Sequence, residues 1–249
     1  MYQGINLLNS SYSKEQSDLL FFVLGINSRR TEEKTSPKIE ERIMIKKDSP
    51  KYEKLIRENR AKRILGFIFP TEYSKARLSD RPDIVAHSIG CEVTNSLITP
   101  IFEILSREPS VFHGDFYPLK EKVEKILNER GREIGLEEGI HDYERIYLQK
   151  LKNLNSGGYQ LFEENNLFIF SWIYEEKAVM EFLELAEKPP EHYKYTFDRI
   201  YLFFDQVLME MILGSGEYRI YPLEEGEQRR ILKRSAREVR IKTLLHLPL

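Results

Sequence analysis

The chain holds one cysteine and one tryptophan in 249 residues, carries no excess charge of either sign, and has no apolar run long enough to span a membrane. Each lack removes a class of protein. Cys91 alone supports neither a disulfide framework nor a cysteine-based zinc site, and it suits a reducing, cytoplasmic compartment. A formal net charge of −2 supplies no global basic field, so a nucleic-acid surface would have to be local. The most apolar run, "LLFFVLGI" at 19–26, falls far short of the roughly 20 residues of a spanning helix. It reads as a buried strand or short core segment, without the flanks of a secretory signal. No repeat recurs at solenoid or propeller periods, and no Walker loop, GxSxG elbow or GxGxxG fingerprint occurs. His113, His141, His192 and His246 lack metal-ligand spacing.

What remains is an ordinary folding composition, 41% hydrophobic and 31% charged, in a chain long enough to bury a core. "NSRRTEEKTSPK" (27–38) reads as an exposed connection after an N-terminal extension, 1–48, that packs on the core. Ser49 is an N-cap candidate and Pro50 a first helical residue, opening a helix with Tyr52, Leu55, Ile56 and the stem of Arg63 on one face. "ILGFIF" (64–69) reads as a strand stopped by Pro70, followed by strands at 83–86 and 89–94. A helical insertion near 100–139 includes an amphipathic helix at 118–130. A helix at 140–154 ends at "NSGG", and "NLFIFSWIY" (166–174) is a strand. A helix (176–187), an apolar run (199–213), a strand near 218–221 and a basic helix (224–240) complete an α/β elaboration at 175–249.

The stretch "RPDIVAHSIGCEVTNS" (81–96) places acids within apparent sheet. If His87-Ser88 is a two-residue turn, Ala86 faces Ile89, Val85 faces Gly90, Ile84 faces Cys91 and Asp83 faces Glu92. Alternation then gives one wholly apolar face of Ile84, Ala86, Ile89, Cys91 and Val93. The other carries Asp83, Val85, Gly90, Glu92, Thr94 and Ser96. Like charges directly opposed, with Cβ atoms about 5 Å apart, are destabilising. A protonated carboxyl or an intervening cation would relieve that, and Mg²⁺ or Mn²⁺ suits two carboxylates plus a phosphate. Gly90 would leave room beside the pair. The alternative is that both acids sit at strand ends on a solvated face and do nothing.

Pro82-Asp83, a short gap and Glu92-Val93-Thr94 resemble the PD-(D/E)xK nuclease superfamily, whose motif lies on a hairpin within a helix, three-strand, helix, strand core. The same element order runs over 49–174. The resemblance implies a restriction-endonuclease-like α/β fold with a mixed sheet flanked by helices. It also implies metal ligation by Asp83, Glu92 and the Val93 carbonyl. One departure is plain: the family's motif lysine falls at Thr94. Some members carry that lysine on the following helix. At about 100° per residue, Ile140, Tyr143, Ile146, Tyr147, Leu151 and Leu154 share a face of the 140–154 helix, with Lys150 in its middle and Lys152 opposite. An ammonium in an apolar stripe needs a partner, for which Asp83 and Glu92 are the candidates; the alternative is that it snorkels to the helix edge. The resemblance further implies a glutamate on the first helix, for which Glu53 and Glu58 both stand.

The expectation is a Mg²⁺-dependent phosphodiester hydrolase, with Asp83 and Glu92 as ligands, Lys150 opposite the developing charge, and Thr94 as a hydroxyl ligand or water holder. Arg230, Lys233, Arg234 and Arg237 recur at helical spacing and either form a solvated helix face or track a phosphate backbone, of DNA rather than RNA. A homodimer or a partner protein is compatible with this. Two other readings stand beside it: a nuclease-like fold that has lost catalysis, which Thr94 favours, and an interaction module without phosphodiester chemistry.

Overall fold

The computed structural model describes residues 50–98, 141–171, 176–204 and 206–244. The expectations for 1–48, for Ser49, for the insertion near 100–139 with its 118–130 helix, for Ile140 and for 172–174 of the expected strand lie outside these residues. Helices α1 (Pro50–Ile68) and α2 (Pro70–Tyr73) precede strands β1 (Arg77–Leu78), β2 (Ile84–Ala86) and β3 (Ile89–Asn95). Then come α3 (Tyr143–Asn155), β4 (Glu164–Ser171), α4 (Glu176–Glu187), β5 (Arg199–Phe204), β6 (Val207–Ile212), β7 (Glu217–Pro222) and α5 (Glu225–Leu244).

The seven strands form one mixed sheet in sequence order, β1 to β7. The β3–β4 and β4–β5 pairs are parallel, and the outer pairs are antiparallel. A parallel pair needs a crossover, and α3 and α4 lie in the two crossovers. Strand order advancing in one direction with one crossover hand puts both helices on the same face. There Tyr143, Tyr147, Leu151 and Leu154 of α3 and Val179 and Phe182 of α4 pack with Leu167, Ile169, Ile200 and Leu202. The opposite face buries Ile84, Cys91, Val93, Phe168, Phe170, Tyr201 and Phe203 under Ala61, Ile64 and Leu65 of α1 and Ile231 of α5. The protein is thus a mixed α/β layer structure with helices on both faces. Among the described residues no helix is long and apolar enough to cross a membrane.

The strand expected at 64–69 is instead the last part of α1. Ala61, Ile64, Leu65 and Ile68 recur at helical spacing and cover the sheet as a helix face, and a six-residue apolar run carries too little period to separate that from a buried strand. Strand β1 takes the expected strand's place further along, at Arg77–Leu78. The expected face of the first helix is also rotated: Tyr52, Leu55 and Ile56 are only half-buried. Asn59 and Arg63 instead face α5, where Asn59 Nδ2 donates to the Ser235 carbonyl at 3.1 Å and Arg63 donates to Glu238 at 2.6 Å.

The hairpin has the expected register, with Ile84 opposite Cys91, Val85 opposite Gly90 and Ala86 opposite Ile89. His87 has a φ of 53°, the left-handed conformation a tight two-residue turn demands. Gly90 does not leave room. A Cβ there would come within 2.6 Å of the Phe162 ring and 2.8 Å of Pro82, so its missing side chain lets those two pack against the strand.

Candidate active site

Glu92 stands beside Leu167 in the parallel ladder, which puts its side chain on the face covered by α3. Asp142 caps α3 by accepting from the Arg145 N–H at 3.1 Å. Lys150, two turns on, reaches back across the apolar face and donates to Glu92 Oε1 at 2.6 Å. Lys152 is exposed, on the opposite side of the helix. The Tyr159 hydroxyl donates to the same Oε1 at 3.1 Å. Glu92 Oε2 is buried with no hydrogen-bond partner.

Asp83 immediately precedes the first rung of β2. Its Oδ2 accepts from the Val93 N–H at 2.8 Å, so the side chain stands in for the rung that the diverging backbone no longer makes. Its Oδ1 lies 3.3 Å from Lys54 Nζ on α1. Lys54 also lies 3.2 Å from Glu58 Oε1, which is buried and outside hydrogen-bond geometry. Three carboxyl groups from α1, the approach to β2 and β3 therefore converge with two ammonium groups from α1 and α3. Of the two helix glutamates considered, Glu58 is the one brought in; the Glu53 side chain is outside the described residues.

Charge counting explains the electrostatics. Three carboxylates against two ammoniums leave one negative charge in a site where Glu58, Asp83 and Glu92 are all at most 7% exposed. Burial first, and then the Asp83 charge, push Glu58 up to about 8 against the pull of Lys54. The same two causes raise Glu92, opposed by Lys150 and Tyr159. Burial and the Glu92 charge raise the Tyr159 phenol, which keeps it a donor.

No group of three or more His, Cys, Asp or Glu side chains among the described residues is arranged as a metal-ion cage. What the site offers a cation is sparser: a buried carboxylate oxygen without a hydrogen bond on Glu92, a second on Glu58, and Asp83 alongside. That donor set is all oxygen and leaves most positions to water, which fits Mg²⁺ and Mn²⁺ and not a soft metal. Thr94 follows Glu92 on the same face, half-buried beside Ile169.

The basic helix is real, and its buried side is Gln228, Ile231, Ser235 and Val239. Arg230, Lys233, Arg234 and Arg237 are all exposed. Arg230 is paired with Glu227 one turn back. His87 is exposed in the hairpin turn, and His141 is buried against the Ser96 hydroxyl at 2.7 Å. Lys54 and Tyr159 are the side chains that sequence reasoning did not place at the site. Lys54 left one signal, its i,i+4 spacing to Glu58. Comparison with known proteins returned no match: no family model, no curated protein and no solved structure matches the chain.

Proposed function

We propose that the protein is a metal-dependent nuclease of the PD-(D/E)xK type, acting on DNA, with a restriction-endonuclease-like core and its lysine supplied from a helix. The observation that carries this reading is Lys150 Nζ at 2.6 Å from Glu92, on the strand whose Val93 N–H holds Asp83. A site whose motif position is Thr94 thereby regains an ammonium from α3. Asp83, Glu92 and the Val93 carbonyl would hold Mg²⁺ or Mn²⁺, with Thr94 beside them. The bound ion would lower the pKa of a water and offset phosphate charge. Lys150 offsets the Glu92 charge and sets a positive charge where the attacked phosphate becomes more negative. Lys54 stands as the counter-ion between Asp83 and Glu58. The exposed Arg230, Lys233, Arg234 and Arg237 would hold the backbone. The reading includes a cytoplasmic location, and a homodimer or partner protein is compatible with it.

A second reading has its own support. Both Asp83 oxygens and Glu92 Oε1 are already engaged by Lys54, Val93, Lys150 and Tyr159. A site satisfied from within in this way would also suit a nuclease-like binding module without catalysis. Cleavage of plasmid and linear DNA with Mg²⁺ or Mn²⁺ separates the two. Cleavage by wild type that disappears in Asp83→Ala and Glu92→Ala supports the nuclease. Salt-dependent binding with no cleavage supports the module, and neither binding nor cleavage removes both.

A further inference from the structure

We propose that Tyr159 is a positioning residue that, with Lys150, pins Glu92 by one carboxylate oxygen and so sets which cation the site prefers. This rests on the metal-site reading above. Both donors converge on Oε1, Lys150 at 2.6 Å and Tyr159 at 3.1 Å, and Oε2 is left buried and unpartnered. Such a carboxylate offers a cation one oxygen instead of a chelating pair.

The direction of the Tyr159 proton is fixed by Asn153, whose Nδ2 donates to the phenol oxygen at 3.2 Å. A hydroxyl that accepts on that side turns its own hydrogen to Glu92. The chain reaches this position through the end of α3. Gly158 N donates to the Asn153 carbonyl at 3.2 Å, and Gly157 takes a φ of 75°, the left-handed conformation that ends many helices. A Cβ on Gly158 would press to 3.1 Å from that same carbonyl. The "NSGG" sequence is thus more than a helix stop. One helix supplies Lys150, Asn153 and, through its glycine turn, Tyr159.

One-oxygen ligation discriminates between cations. Mg²⁺ and Mn²⁺ favour six ligands at short range with several waters, whereas Ca²⁺ takes six to eight and accepts a chelating carboxylate. Loss of the phenol hydroxyl leaves Lys150 as the sole donor to Oε1, so the carboxylate is held less firmly and can turn that oxygen towards the ion, which disfavours the small cations and suits the large one.

The experiment titrates Mn²⁺ and Ca²⁺ separately into the full chain, as wild type, Tyr159→Phe and Asn153→Ala, with metal-free melting recorded for each. Tyr159→Phe is expected to weaken Mn²⁺ about tenfold, the lower range for loss of a group that orients a ligand. Ca²⁺ should not weaken in step, melting should stay with wild type, and Asn153→Ala should move the same way by less. Equal Mn²⁺ affinity in wild type and Tyr159→Phe would overturn the positioning role and leave the nuclease reading standing. A parallel loss of both ions with a lowered melting temperature would assign Tyr159 to packing alone. Failure of wild type to bind Mn²⁺ removes the metal-site reading and this inference together.

Discussion

Two ionic clusters border this sheet, each around a buried acid, and they are built differently. At the start of β5, Arg199 lies 2.9 Å from Glu210, 3.4 Å from Glu72 and 3.2 Å from Glu164. Tyr221 closes the remaining Glu210 oxygen at 2.9 Å, and Asn166 donates to Glu164 at 2.6 Å. Every carboxylate oxygen of that group that is buried has a partner, and the neighbouring Tyr201 hydroxyl is the buried oxygen there without a hydrogen bond. Its deepest carboxylate is held directly by the guanidinium, and Glu72 and Glu164 are open enough for water to share their charge. The Asp83–Glu92 cluster instead leaves Glu92 Oε2 buried without a hydrogen bond, Glu58 Oε1 with only the Lys54 ion pair, and two acids with raised pKa values. A satisfied cluster ties strands together. An unsatisfied one is tolerated where something else completes it, which is why perturbed groups mark sites.

The sharpest way to break this comparison is to remove the cation from each. Lys150→Ala should lower DNA cleavage on the order of 100-fold, as loss of a charge-stabilising group does, and it also costs stability by leaving Glu92 buried without its ion-pair partner. Arg199→Ala should cost stability and leave cleavage by the folded protein unchanged. It leaves Glu210 buried without its ion-pair partner, at a cost of about 3 kcal/mol read by denaturant unfolding. If Arg199→Ala abolished cleavage at unchanged stability, the division of roles would be wrong.

A smaller effect sharpens the electrostatic half. Glu58 titrates near 8 in the fold and near 4.5 when free, so between those values the folded protein binds the extra proton. Metal-free stability should therefore fall as pH rises from about 4.5 to 8, the sign expected when the native state binds more protons than the unfolded one. Glu58→Gln should flatten that slope in thermal melts taken across the interval. A slope unchanged in the variant would assign the dependence to another group. Smallest of all should be the surface term. Replacing Arg234 and Arg237 by alanine should reduce the slope of log DNA affinity against log salt by about one for each phosphate no longer neutralised, without changing cleavage of bound substrate.

How much of this was legible depended on which residues carry period. The hairpin register followed from the two-residue turn, because a side-chain period of two admits no intermediate choice. Lys150 was legible as a cation inside the apolar stripe of α3, and Thr94 as a gap. "ILGFIF" was not, since its six residues fit a helix face and a strand alike. The contacts of Asn59 and Arg63 with α5 went unread because their partners, Ser235 and Glu238, lie more than 170 residues along the chain. Gly90 was misread as space because Phe162 arrives there from beyond α3. Tyr159 required the turn after α3 to be folded before its hydroxyl had any address. Local pattern revealed the acids and one lysine; tertiary packing chose what touches them.

The most direct test of the account is a calorimetric titration of Mn²⁺ into wild type and into the Asp83→Asn, Glu92→Gln double variant. The account predicts one site in wild type, accompanied by proton release near neutral pH, and no such site in the variant. Equal binding by both proteins, or none by wild type, would contradict it.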